Sequence, residues 1–172
     1  MSEASIAQSS ATVDFLSAQN LQRADETVQE VFARMLGLQI ALTDPQILEP
    51  GLGEDRTAIV GFSGAMRGCC EVQLNVQAAQ AVASAMLGIP VDDAASLDDA
   101  IGEICNMVGG GWKDRVPSLS SQCALSPPTV ISGRAYRVHM SRPSDKITRT
   151  YQFDEHLLFL TIRRENMAND GA

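Results

Sequence analysis

One stretch decides the fold: Ser96-Leu-Asp-Asp-Ala-Ile-Gly-Glu-Ile-Cys-Asn-Met-Val-Gly-Gly-Gly-Trp112. At about 100° per residue, its large apolar side chains share one stripe, which predicts an amphipathic helix that needs a covering layer. The stripe consists of Leu97, Ile101, Ile104, Cys105, Val108 and Trp112. Because Ser96 and Asp99 approximate a capping box, we expect the helix to begin at Ser96.

The opposite face of this helix is polar. Its residues follow at steps of four, three and four, so they form one exposed row: Asp99, Glu103, Asn106 and Gly110. An exposed Glu and Asn on a helix are most often only solvated surface. Asn is a mediocre residue for the middle of a helix, however, which favours a role for Asn106 beyond structure.

Glycines flank this polar face at Gly102 and at Gly109, Gly110 and Gly111. Each costs up to about 1 kcal/mol relative to alanine inside a helix. Two interpretations stay open. The glycines create a low surface on which another macromolecule approaches Glu103 and Asn106, or the last three simply end the helix.

Two further helices are predicted at residues 23–36 and 76–87. The first has an apolar stripe at helical spacing, formed by Val28, Val31, Phe32, Met35 and Leu36. Asn75 caps the second. Both end in Met-Leu-Gly, which is compatible with an internal duplication and equally with a common helix ending.

Strand patterns fill most of the remaining chain, at residues 38–42, 57–62, 66–74, 134–141 and 147–164. A hairpin through Pro143, Ser144 and Asp145 is expected to join the last two. The pattern predicts an α+β fold in which helices pack on an antiparallel β-sheet. The length favours one domain at residues 23–165, with a flexible N-terminal lead at 1–22 and a flexible tail at 166–172.

Composition excludes several classes of function. The net charge of −8 disfavours binding to nucleic acid or to an anionic membrane surface. No apolar run approaches the roughly 20 residues of a membrane span, and no secretory signal is recognisable, so we expect a cytoplasmic protein. The four cysteines show no metal-binding spacing and are expected to be buried, so no metal site is predicted.

Catalysis on a small molecule has little support. His139 and His156 fall on predicted strands without a nucleophile or acid motif nearby, and no phosphate-binding glycine loop follows a strand. A carboxylate and an amide on one face suit work on a partner protein instead. The carboxylate can pair with a lysine, and the amide can hold a water in line with a phosphoryl group. Hydrolysis of an acyl phosphate is chiefly a problem of positioning.

Several motifs, in order over about residues 24–164, resemble the CheX branch of the CheC/CheX/FliY chemotaxis phosphatases. They are Val31-Phe-Ala-Arg-Met-Leu-Gly37, Gly61-Phe-Ser-Gly64, Ala83-Ser-Ala-Met-Leu-Gly88, Glu103-Ile-Cys-Asn-Met-Val108 and Ser126-Pro-Pro-Thr-Val-Ile-Ser-Gly133. The family signature is a Glu and an Asn two residues apart on a long surface helix. CheC-type members resemble a duplication with two such pairs. The first predicted helix here offers no second pair, which favours the CheX branch.

The resemblance implies a phosphatase that dephosphorylates the aspartyl phosphate of a CheY-like response regulator. It implies that Glu103 pairs with a regulator lysine and that Asn106 orients the attacking water. We expect neighbouring residues to contact the regulator, namely Asp99, Gly102, Met107 and Gly110. The resemblance further implies that Mg²⁺ belongs to the regulator's site, that the chain needs no cofactor of its own, and that it forms a homodimer through its sheet. The alternative is a non-catalytic adaptor of the same fold that binds a response regulator.

Overall fold

A computed structural model describes residues 14–44, 54–139 and 144–166. Its helices are α1 (Ala18–Val31), which continues into a π-helical turn at Phe32–Leu36, α2 (Val76–Leu87) and α3 (Ala94–Arg115). Its strands are β1 (Ala41–Leu42), β2 (Asp55–Gly64), β3 (Gly68–Asn75), β4 (Cys123–Leu125), β5 (Thr129–Gly133), β6 (Ser144–Phe153) and β7 (His156–Glu165).

The strands form one antiparallel sheet in the order β1-β6-β7-β3-β2-β4, and β5 also pairs with β2. The central strand β3 pairs along its whole length with β2, from Asp55 opposite Asn75 to Phe62 opposite Gly68. Helix α3 packs on β2 and β3 and is flanked by α1 and α2. The predicted α+β class, with helices on an antiparallel sheet, is confirmed.

Helix α1 begins five residues before the predicted start at residue 23. The Ser17 hydroxyl caps it by accepting a hydrogen bond from the amide of Asn20 at 3.4 Å. Phe15 and Leu21, which the prediction assigned to a flexible lead, are buried in the structure. The rest of that lead, residues 1–13, and residues 167–172 of the predicted tail lie outside the described residues.

The end of the first helix departs from its predicted stripe. Val28 and Phe32 are fully buried as expected, but Met35 is 50% exposed. A π-helical turn carries more residues per turn than an α-helix, so it shifts the phase of the side chains that follow. That shift explains why Met35 leaves the core while Leu36 stays buried at 8% exposure.

The C-terminal strands are arranged differently from the prediction. Residues 134–139 form no strand, and the predicted long strand at 147–164 is instead a hairpin of β6 and β7. Its turn is at Asp154 and Glu155, where Asp154 adopts a left-handed φ of 48°, a conformation that Asp tolerates better than most residues. Asp145 lies within β6, so the hairpin predicted through residues 143–145 is wrong; Pro143 itself lies outside the described residues.

Candidate functional site

The inner side of α3 forms the helical part of the core. All six residues of the predicted apolar stripe are at most 1% exposed, which confirms the sequence-based face assignment. Trp112 extends the contact to α1, because its indole N–H donates to the carbonyl oxygen of Asn20 at 2.8 Å. The thiol of Cys105 donates to the carbonyl oxygen of Ala58 on β2 at 3.3 Å. These contacts fix the rotation of α3 about its axis.

Both ends of α3 lie beyond the predicted ones. Asp93 is the N-cap, and its carboxylate accepts a hydrogen bond from the amide of Ser96 at 2.9 Å. That bond lowers the pKa of Asp93. The predicted start at Ser96 is therefore wrong by two residues, and the helix runs on to Arg115, so the three consecutive glycines lie inside it.

These glycines allow close packing on three sides of α3. A side chain at Gly109 would place its Cβ 2.7 Å from Cγ2 of Val60, and one at Gly111 would lie 2.8 Å from Cγ2 of Thr27. At Gly110 the nearest atom, Cδ1 of Leu125, is 3.3 Å away. The interpretation that the glycines end the helix is wrong.

Gly102 also has a packing role. It is buried, and a Cβ there would touch Pro128 and Val130 at 3.5 Å, in the segment that enters β5. The chain itself covers this side of α3, so the predicted contact of Gly102 with a partner stays a prediction that its burial does not favour. Gly102 and this segment are far apart in sequence, so no local pattern predicted their contact.

The outer face of α3 has the predicted polar residues. Asp99 and Glu103 are exposed, and Asn106 and Gly110 are partly exposed. Glu103 and Asn106 are three residues apart and so are neighbours on the helix surface. Within the described residues, neither the Glu103 carboxylate nor the Asn106 amide takes part in a hydrogen bond or ion pair. Both groups are thus available to another molecule.

Two cavities open beside this outer face, and sequence reasoning missed both. The first, of about 370 Å³, lies between the end of α2 and the first half of α3 and includes Glu103 and Asp99 in its lining. The second, of about 410 Å³, lies between the end of the first helix and the second half of α3 and includes Met35 and Met107. The repeated Met-Leu-Gly endings were the available signal, because each helix end contributes an exposed apolar side chain here.

In the ranges 14–44, 54–139 and 144–166, no group of three or more His, Cys, Asp or Glu residues is placed to hold a metal ion. All four cysteines are buried, as predicted. His156 begins β7 and packs against Phe153 with ring centroids 5.3 Å apart, whereas His139 is exposed and lies outside any strand. Among the helices of the described ranges, none has the length and apolar character that a membrane crossing needs.

Solved structures of chemotaxis proteins share this fold. A crystal structure of the chemotaxis protein CheX from Vibrio vulnificus aligns with a TM-score of 0.73 at 23% identity, over 86% of this chain and 97% of that one. The CheX–CheY–BeF3–Mg²⁺ complex from Borrelia burgdorferi aligns with a TM-score of 0.67 at 17% identity, over 86% and 98% of the chains. These likenesses establish a CheX-like fold.

The family model for the chemotaxis phosphatase CheX matches residues 56–151, more than half of the chain and including all of α3. This chain therefore belongs to the CheX family of chemotaxis phosphatases. The CheY-P phosphatase CheX of Thermotoga maritima is 26% identical over 117 residues, which are 65% of this chain and 74% of that protein. The predicted family and enzyme class, a phosphatase, are confirmed.

Proposed function

We propose that this chain hydrolyses the aspartyl phosphate of a CheY-like response regulator in the cytoplasm. The observation that carries the proposal is the unengaged Glu103–Asn106 pair on the outer face of α3. The Thermotoga relative, a CheY-P phosphatase, and the Borrelia complex of CheX with CheY support a CheY-like substrate.

In the proposed mechanism, Asn106 enters the regulator's phosphorylation site. Its amide oxygen accepts a hydrogen bond from a water and holds it in line with the bond from phosphorus to the aspartyl oxygen. The water attacks phosphorus as that bond breaks, which releases inorganic phosphate and restores the carboxylate. Asn106 supplies no charge or proton, so its contribution is the positioning of the water.

Glu103 serves to hold the two proteins together in the proposed complex. Its carboxylate pairs with a regulator lysine, an interaction that is strengthened when the interface excludes water. One helical turn separates this anchor from Asn106, so docking of one residue sets the position of the other. We propose Asp99, Met107 and Gly110 as additional contacts. Asp99 and Gly110 lie on the outer face, and Met107, four residues after Glu103, is its partly exposed neighbour on the helix surface.

We assign Mg²⁺ to the regulator and no cofactor to this chain. The Borrelia complex, which combines CheX and CheY with BeF3 and Mg²⁺, supports a metal-dependent partner. Here the nearest candidates, Glu103 and Asp99, are exposed carboxylates on a helix surface, without the several converging oxygen ligands that Mg²⁺ prefers.

We also propose a homodimer that forms through the sheet. Strand β1 pairs with Gln152 and Tyr151 of β6, and the amide of Thr43 just beyond β1 donates to the carbonyl oxygen of Thr150 at 2.9 Å. Residues 144–149 of β6 pair with β7 alone among the strands of the described residues, so we propose that their other edge takes a strand of the second copy. Analytical ultracentrifugation should give the mass of a dimer, and a monomer mass at micromolar concentration would reject this part of the proposal.

The test is phosphate release from CheY-like receivers of the same organism, phosphorylated with a small phosphodonor and Mg²⁺. We expect faster dephosphorylation with the wild type and loss of the acceleration with Asn106→Ala, while binding to the BeF3-activated receiver persists. Gln77→Ala, which removes an exposed amide from α2, is the matched control and should retain full activity.

The same assay separates the enzyme from the adaptor. A receiver that binds tightly but is not dephosphorylated faster would favour the non-catalytic adaptor and leave Glu103 and Asn106 as contact residues. Equal activity of Asn106→Ala and the wild type would reject the assignment of the water-positioning role to α3.

A further inference from the structure

We infer that the cavity between the end of α2 and the first half of α3 is a second contact site for the response regulator, and that it selects regulators by charge. The inference rests on the proposed function, because it assigns the cavity's occupant to the same partner. The occupant is an apolar side chain of the regulator that is flanked by a lysine or arginine, in addition to the lysine that pairs with Glu103.

The apolar part of the cavity is unusually exposed. It is lined by Met86, Leu87, Ser96, Asp99, Ala100 and Glu103. Leu87 is 54% exposed, and Ile89, two residues further on, is 61% exposed, the two highest exposures among the large hydrophobic residues that the structure describes. Gly88, between these two residues, ends α2 in a left-handed conformation with φ of 70°.

The charges around the cavity have one sign. Asp99 and Glu103 line it, and in the described part of the chain neither has an ion-pair partner. The carboxylate of Asp98, the residue before Asp99, is neutralised by an ion pair with Arg56, whose Nε lies 2.9 Å from Oδ1. No lysine or arginine is part of the lining. The cavity therefore complements a cationic surface, which the described residues do not supply.

The neighbouring cavity provides an internal comparison. Its lining includes two acidic and two basic residues, namely Glu30, Asp114, Arg34 and Arg115. Glu30 forms ion pairs with both Arg34 and Arg115, so this cavity neutralises its own charge. Of these two cavities, the one with unbalanced charge is the one that contains Glu103, the residue already proposed to meet a regulator lysine.

The position of Glu103 joins the two contact sites. It belongs both to the cavity lining and to the exposed pair with Asn106, so a regulator that engages the pair also covers the cavity entrance. Charges at the edge of an interface act mainly on the association rate and its dependence on salt. Regulators that lack the basic element should associate slowly even if their phosphorylation sites are intact.

The experiment compares Leu87→Ala and Asp99→Lys with the wild type in hydrolysis and in binding of the BeF3-activated receiver. We expect each change to raise KM about tenfold with kcat unchanged, and Asp99→Lys to reduce the rise of KM with salt. Leu87→Met should raise KM far less than Leu87→Ala does, because methionine is an apolar side chain of similar size. Glu155→Lys, the same charge change on the exposed β6–β7 turn, controls for net charge and should have little effect.

The outcomes separate this inference from the proposed function. Rapid hydrolysis with KM and binding unchanged in both variants would overturn the inference and leave the phosphatase intact. Binding weakened in both variants would support the inference even if hydrolysis were absent. A wild type that neither binds nor dephosphorylates any receiver would overturn both.

Discussion

The two faces of α3 differ in what their residues contribute. On the inner face, the apolar stripe and Gly109 are buried against the sheet, and almost any change of volume there meets a neighbour. On the outer face, Glu103 and Asn106 make no hydrogen bond or ion pair within the described residues. The residues that stabilise the fold and the pair proposed to act on the regulator therefore lie on opposite sides of one helix, although they alternate along its sequence.

The packing of the inner face determines the direction in which α3 presents Glu103 and Asn106. Gly109 and Gly111 bring α3 into van der Waals contact with Val60 and Thr27. Contacts this close leave no freedom for the helix to rotate, because protein interiors are packed to near-crystalline density. The outer pair is consequently presented by a rigid support, which suits a residue whose role is to position a water.

The largest effect should come from Asn106→Ala. We expect phosphatase activity to fall by on the order of 100-fold, since alanine cannot position the water. The free energy of unfolding should change by less than about 0.5 kcal/mol, because the side chain has no hydrogen-bond partner among the described residues. Urea denaturation beside the activity assay checks both, and a large loss of stability would show that the two faces are not separate.

Gly109→Ala should show the reverse behaviour. Its Cβ would approach Val60 to 2.7 Å, and overpacking of this kind costs about 1–3 kcal/mol, partly offset by the better helix propensity of alanine. A lower denaturation midpoint with near-normal activity per folded molecule is the expected result. An unchanged midpoint would mean that β2 moves to make room for the added methyl group, which would contradict the inference that the support is rigid.

Glu103→Gln should have an intermediate effect on function. It keeps the size of the side chain and removes the charge, so kcat/KM should fall about tenfold and depend less on salt. Denaturation should be unaffected, since the exposed carboxylate has no ion-pair partner in the described residues. Activity equal to the wild type at low and high salt would contradict a role in pairing with a lysine.

Gly110→Ala should have the smallest effect and is the matched control for Gly109. A Cβ at Gly110 would lie 3.3 Å from Leu125 on a partly exposed surface. The stabilisation from the better helix propensity of alanine should therefore nearly cancel the cost of this tight contact. We expect a change in stability within about 1 kcal/mol and, if the regulator approaches closely here, a severalfold rise in KM. Steady-state kinetics at several receiver concentrations would detect that rise.

Periodicity was sufficient to predict both faces of α3. The stripe from Leu97 to Trp112 and the exposed Glu103 could be read from spacing, because a helix repeats every 3.6 residues whatever packs against it. The same reasoning failed at the end of the first helix. There, Met35 is half exposed although it belongs to the predicted buried stripe, because a π-helical turn intervenes, while Leu36 stays buried.

The repeated Met-Leu-Gly ending shows the same limit. In both helices the glycine is left-handed, with φ of 66° at Gly37 and 70° at Gly88, as the sequence leads one to expect. Yet the exposed apolar side chain is Met35 in one and Leu87 in the other. Local sequence decides that a helix stops, whereas the contacts of the preceding turns decide which side chain faces water.

The sequence by itself determined the α+β class, the family, and the exposed row that contains Glu103 and Asn106. These depend on local spacing and on motifs, which are properties of the chain alone. Only the tertiary structure decided that Gly102 is covered by the segment entering β5, that the glycine run lies inside α3, and that a one-signed cavity adjoins Glu103. Each of these depends on residues far apart in sequence, whose proximity is set by how the sheet and helices pack together.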